Sequence, residues 1–125
     1  MNVVDSSGWL EYFAAGPNAA FFEDPIEATG DLIVPTVSVY EVFKKVLLER
    51  GESEALRAIG FMQLGTVIDL TSSIALSAAK ISAELKIPMA DSIMLATARE
   101  FGAVLWTQDI DFKGLEGVEY VGKKG

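Results

Sequence analysis

Short, uninterrupted apolar runs alternate with helix-length segments along this chain. Val3-Val4, Leu32-Ile33-Val34, Thr66-Val67-Ile68 and Ala103-Val104-Leu105-Trp106 are too brief for helices, and most are too apolar to show one face to water. Strands of this kind lie inside a parallel sheet, and successive parallel strands need a crossover about the length of a helix. The pattern predicts an α/β fold, a three-layer sandwich with a central, mainly parallel sheet of about five short strands flanked by helices. At 125 residues it predicts a single domain over 1–125.

The first strand ends at Asp5, and a helix carrying Trp9, Leu10, Tyr12 and Phe13 follows until Gly16-Pro17 stops it. Residues 18–29 read as one or two short helical pieces interrupted by Pro25. Pro35 to Arg50 reads as a helix with the stripe Val39, Val42, Phe43 and Val46, ended by Gly51. Ser53 is placed to cap a helix through Met62. Thr71 is placed to cap another through Leu85, with Ile74, Ala78, Ile81 and Leu85 on one face. A further helix runs from about Ala90 to Phe101 and is closed by Gly102. Thr107 to Phe112 is a loop, and Val118 to Val121 a last strand.

Composition narrows the chemistry. The chain has no cysteine and no histidine, so thiolate sites, disulfides and imidazole ligands or bases are excluded. Catalysis must run on carboxylates, hydroxyls, lysine or metal-bound water. A net charge of −8 argues against a binder that grips nucleic acid with a broad basic face. No signal peptide or membrane-length apolar run is expected, and the cysteine-free composition is compatible with the cytoplasm.

In open parallel sheets, sites form beyond the carboxyl ends of the strands. Four carboxylates are expected there. Asp5 follows the first strand, Glu41 lies in the first turn after the second, Asp91 opens the helix before the fourth, and Asp109 follows that strand with Asp111 two residues on. Each has a local explanation. Asp5 suits a helix cap, Ser38 and Glu41 a capping box, Glu41 an ion pair with Lys45, Asp91 a helix start and Asp109 an Asx turn. Gathered at one edge, however, they repel one another. A divalent cation reverses that sign, and an oxygen-only ligand set suits Mg²⁺ or Mn²⁺.

Val3-Val4-Asp5-Ser6-Ser7, Ser38-Val39-Tyr40-Glu41, Ala90-Asp91-Ser92-Ile93-Met94-Leu95-Ala96-Thr97-Ala98 and Leu105-Trp106-Thr107-Gln108-Asp109-Ile110-Asp111-Phe112 resemble, in order and spacing, the successive motifs of the PIN domain. Within that family the sequence is most similar to the VapC-type toxins of toxin–antitoxin pairs. The resemblance implies a metal-dependent ribonuclease in which Asp5, Glu41, Asp91 and Asp109 hold Mg²⁺ or Mn²⁺. It implies in-line hydrolysis leaving a 5′-phosphate and a 3′-hydroxyl. Asp111, Ser6 and Thr107 are expected to orient ligands or water, Asp109 rather than Asp111 being the direct ligand. Gln108 stands where many members of the family carry a basic or amide residue, and the run Val42-Phe43-Lys44-Lys45 departs from the small-residue pattern common among the toxins.

The resemblance also implies partners: an RNA substrate, a second copy of the chain, and a small antitoxin lying over the acidic cleft and inserting an arginine. Trp9, Phe13, Phe21 and Phe22 are expected to be exposed for docking. Trp9, Tyr12 and Phe13 are candidates for base stacking, but their helical spacing favours core packing or a partner surface. Lys44, Lys45, Arg50, Lys113, Lys123 and Lys124 are candidates for the RNA backbone, or for a plain solvated face. Two other readings compete: a receiver-like phospho-switch domain, and a PIN-like binding module without activity.

Overall fold

The protein is described by a computed structural model over residues 1–124. The elements run β1 (Asn2–Val4), α1 (Ser6–Phe13), α2 (Ala19–Glu27), β2 (Leu32–Pro35), α3 (Thr36–Arg50), α4 (Glu52–Met62), β3 (Thr66–Ile68), α5 (Ser72–Leu85), α6 (Met89–Glu100), β4 (Val104–Thr107) and β5 (Val118–Tyr120). Short 3-10 turns cover Thr29–Asp31 and Ile110–Phe112. All strand pairs are parallel, in the order β3-β2-β1-β4-β5. The expected α/β sandwich is thus the observed one.

The pleat divides the core between two faces. Val3, Ile33 and Leu105 point to the side covered by α5 and α6, where they meet Ile74, Ala78, Ile81, Ile93 and Leu95. Val4, Leu32 and Val34 point to the side covered by α1 to α4, where they meet Trp9, Phe22, Ile26, Val42 and Met62. In β1 and β2 alternating side chains serve both faces and are shielded from water, so these strands read as unbroken apolar runs, whereas the edge strands β3 and β5 are partly exposed. Gly8 sits where α1 crosses this layer. A Cβ there would come within 2.6 Å of the Phe22 ring and 2.8 Å of Val4, so only glycine lets helix and strand approach this closely.

Helix α6 is the most deeply set, with every residue from Ser92 to Ala98 buried. Its two hydroxyls are satisfied within the helix: Ser92 Oγ donates to Met89 O and Thr97 Oγ1 to Ile93 O, both at 2.7 Å. Thr71 caps α5 as expected, its Oγ1 accepting from Ile74 N–H at 3.1 Å.

Several local expectations are corrected. Pro35 ends β2 rather than opening α3: its φ of −65° would suit a helix, but its ψ of 141° is extended. Glu41 lies in the second turn of α3. Gly51, not Ser53, precedes α4. Pro25 does not break α2; it lies buried in the last turn, where one missing N–H interrupts little. Leu85 is exposed, because α5 ends there and Lys86 turns left-handed (φ 56°), which delivers Ile87 to the core instead.

Candidate metal centre

The strand order places the acids. β1 and β4 are neighbours, Val4 paired with Trp106, so the residues just beyond them meet at one edge. Asp5 N–H extends the ladder to Trp106 O at 2.9 Å. The Asp5 carboxylate does not cap α1. Its Oδ2 accepts from Thr107 Oγ1 at 2.8 Å and Ser7 Oγ at 2.9 Å. Thr107 Oγ1 in turn accepts from Asp109 N–H at 2.9 Å, and Asp109 Oδ1 accepts from Asp111 N–H at 3.0 Å. The Asx turn expected at Asp109 is present, and one hydroxyl links the ends of the two central strands.

Glu41 reaches the site from α3. The capping box does not form: Ser38 Oγ is buried without a hydrogen-bond partner. Glu41 Oε1 instead accepts from Ser6 Oγ at 2.7 Å, a contact between residues far apart in the chain. Lys45 turns away and pairs with Glu49 at 2.9 Å.

Asp91 enters from the first turn of α6. Its carboxyl is pushed up to about 7 by burial first, and then by the charges of Asp5, Asp109, Glu41 and Asp111. The charges of the other three expected acids, and of Asp111 as well, therefore bear on Asp91. Asp5 is also raised, mainly by burial, although the Thr107 and Ser7 hydroxyls oppose the shift. Carboxylate oxygens of Asp91, Asp109 and Asp111 all lie within 4.8 Å of one another. The all-oxygen donor set of this close group suits a hard divalent cation such as Mg²⁺ or Mn²⁺. Asp111, expected to act behind Asp109, stands in the same tight group as Asp91 and Asp109. Among the described residues the side-chain ion pairs are Lys45–Glu49 and Arg57–Glu54, so no Lys or Arg neutralises the cluster.

The aromatic expectations divide. Trp9 and Phe22 are core residues, 1% and 0% exposed, not docking residues. Amphipathic spacing brought them inward against β1 and β2. Phe13, Tyr12 and Phe61 form an aromatic cluster over Trp9, with Phe13 stacked on its ring at 5.7 Å. Tyr12, Phe13 and Phe61 line a groove of about 560 Å³ between α1, α3 and α4. Charged groups edge it, among them Glu11, Lys45, Arg50 and Arg57. Ser7 and Gln108 also line it, so it opens beside the acid cluster. Of the proposed phosphate-contacting cations, Lys44 lies 5.9 Å from the Tyr40 ring centre and Lys113 5.7 Å from that of Tyr120. Lys123 and Lys124 are exposed.

Sequence reasoning missed one buried feature. Asn18 and Gln108, 2% and 7% exposed, face each other, Asn18 Nδ2 donating to Gln108 Oε1 at 2.9 Å. Nothing in the local pattern joins residues ninety positions apart; the only signal was a polar Gln directly after a buried strand.

The PIN domain family model matches residues 3–118. The chain belongs to the PIN domain family. No curated protein sequence matches it significantly. Among solved structures, it resembles a chain of a toxin–antitoxin complex from Klebsiella pneumoniae, with 22% identity, TM-score 0.78, and 95% and 96% of the two chains covered. It also resembles a chain of VapBC2 from Rickettsia felis bound to a promoter DNA fragment, at 15% identity and TM-score 0.76, covering 95% and 97%. A third is VapC20 from Mycobacterium tuberculosis, described as a sarcin–ricin loop cleaving toxin, at 14% identity and TM-score 0.70, covering 90% and 92%. At these identities the likeness is one of fold. It removes the receiver reading, as does the strand order: β1 here lies between β2 and β4, whereas in receiver-type sheets it lies between β2 and β3.

Proposed function

We propose that this PIN domain is an endoribonuclease that hydrolyses RNA phosphodiester bonds with Mg²⁺ or Mn²⁺ held by Asp5, Glu41, Asp91 and Asp109, and that it serves as a VapC-type toxin in the cytoplasm. The observation that carries the reading is the convergence of Asp91, Asp109 and Asp111 to within 4.8 Å; Asp5 and Glu41 stand outside that close group and add their charge at Asp91. When bound, the ion supplies a Lewis acid for a phosphate oxygen and a water that ionises near neutral pH. The protein's own groups do the rest. Thr107 and Ser7 orient Asp5, Ser6 orients Glu41, and the Asx turn aims Asp109. With a net charge of −8, phosphate is drawn by the ion rather than by a broad basic face.

For regulation, the reading includes a small antitoxin. Its apolar side chains would fill the groove over Tyr12, Phe13 and Phe61, and an arginine would enter the acid cluster, where a guanidinium satisfies carboxylates as a cation does. Exposed apolar side chains elsewhere, including Leu64, Leu70 and Leu76, support self-association into a homodimer.

The test is calorimetric Mn²⁺ binding to the wild type and to Asp91→Asn, followed by RNA cleavage with and without chelator. Binding that the variant loses, with cleavage that chelator stops, is the expected result. Equal binding by the two proteins would sink the metal site. Tight binding without cleavage of any RNA would leave a PIN-like binding module.

A further inference from the structure

We propose that Gln108, clamped by Asn18, is a positioning residue for the acid cluster. Gln108 stands between two residues with defined tasks. Thr107 Oγ1 joins Asp5 to the Asp109 backbone, and Asp109 carries the carboxylate that meets Asp91. The Gln108 side chain turns to the face of the loop opposite to those two. There its Oε1 accepts from Asn18 Nδ2 at 2.9 Å, and its Nε2 reaches Ser7 O at 3.4 Å.

Asn18 is itself fixed on three sides. Its N–H donates to Glu11 Oε2 at 2.7 Å, and its Nδ2 also donates to Gly122 O at 3.0 Å. Val121 N–H donates to Thr107 O at 3.0 Å. The amide pair therefore ties the loop after β4 to the α1–α2 turn and to the segment after β5. The Val121–Thr107 bond continues the β4–β5 ladder by one step, and the amide pair adds the α1–α2 turn to that edge. Buried amides are costly unless bonded, so the pair has a strong preference for one arrangement. An apolar pair of equal size would fill the same space without a preferred direction along the loop. What the amides add is a fixed position for Gln108 Cα, and hence for Thr107 Oγ1 on one side and the Asp109 carboxylate on the other. Ser7 completes the arrangement: its carbonyl faces Gln108 while its hydroxyl holds Asp5.

The inference deepens the metal-site reading, and its test separates the two. Gln108→Met keeps length and burial but removes the hydrogen bonds, and Asn18→Ala opens the pair from the other side. In metal-free protein, amide hydrogen exchange at Asp109 and Asp111 should speed up about tenfold or more in either variant, while amides inside α5 stay protected. Mn²⁺ affinity of Gln108→Met should fall roughly 3- to 10-fold, less than the loss typical of a group bonded directly to a ligand. If exchange at Asp109 and Asp111 is unchanged in both Gln108→Met and Asn18→Ala, the pair is only a satisfied buried contact and the proposal is overturned. The exchange result stands whether or not the wild type binds Mn²⁺, so failure of the metal reading is seen separately.

Discussion

Replacing Asp91 with asparagine should stabilise the metal-free protein. The Asp91 carboxyl is raised from 3.8 to about 7 by burial and by four neighbouring acids. A group that holds its proton more tightly when folded contributes most below its unfolded pKa. That contribution is lost as pH rises from about 4 through 7, where the folded protein is forced to ionise. Unscreened, the shift would correspond to about 4 kcal/mol at ~1.36 kcal/mol per pH unit. Asp91 is only partly buried, and solvent screening leaves on the order of 2 kcal/mol. Asparagine keeps the shape and carries no charge, so in chelator at pH 8 the variant should gain that amount. For a chain of 125 residues this is roughly 8 °C in Tm, taking ~2.1 cal/mol/K of unfolding entropy per residue. Near pH 4 the carboxyl is protonated in the folded protein, and the advantage should largely disappear. Manganese should invert the order at pH 8: an ion at a hundred times its Kd adds about 2.7 kcal/mol to the wild type and much less to the variant. Thermal unfolding of both proteins at pH 4 and 8, with chelator or with Mn²⁺, checks all four corners. A variant no more stable than wild type in chelator at pH 8 would refute the claim that the acids repel one another across this site.

Asp111→Asn should weaken Mn²⁺ binding about as much as Asp109→Asn, because both carboxylates stand in the same group with Asp91; calorimetry that finds Asp111→Asn unchanged returns Asp111 to an outer role. Thr107→Val removes the hydroxyl shared by Asp5 and the Asp109 N–H, and should cost about 10- to 100-fold in metal affinity while the protein stays folded. Gly8→Ala should destabilise by about 1–3 kcal/mol in denaturant titration, since its Cβ would collide with Phe22 and Val4 in the packed core; an unchanged midpoint would mean that α1 can shift off β1.

Much of the architecture was legible from local pattern. Val3-Val4, Leu32-Ile33-Val34 and Leu105 are strand residues buried on both faces, and unbroken apolar runs are how such strands read. The α5 stripe held at Ile74, Ala78 and Ile81 because helical period alone sets those positions. It failed at Leu85, where the chain turned left-handed one residue later, a choice made by tertiary fit rather than by propensity. The Ser38–Glu41 capping box failed for a similar reason: local hydrogen bonding lost to the Ser6 hydroxyl delivered from another helix.

The identities of the acids, their order and the elements that carry them can be read from runs and turns a few residues long. How those groups meet depends on the assembled sheet. Strand order put β1 beside β4, which set Thr107 against Asp5 and raised Asp91 through charges that lie up to eighty-six positions away in the chain. It also sent Trp9 and Phe22 inward, brought Asp111 up to Asp91, and buried Asn18 against Gln108. Hydrogen bonding and charge repulsion act over a few ångströms of space, whatever the separation along the chain, so they exist only once the sheet has assembled.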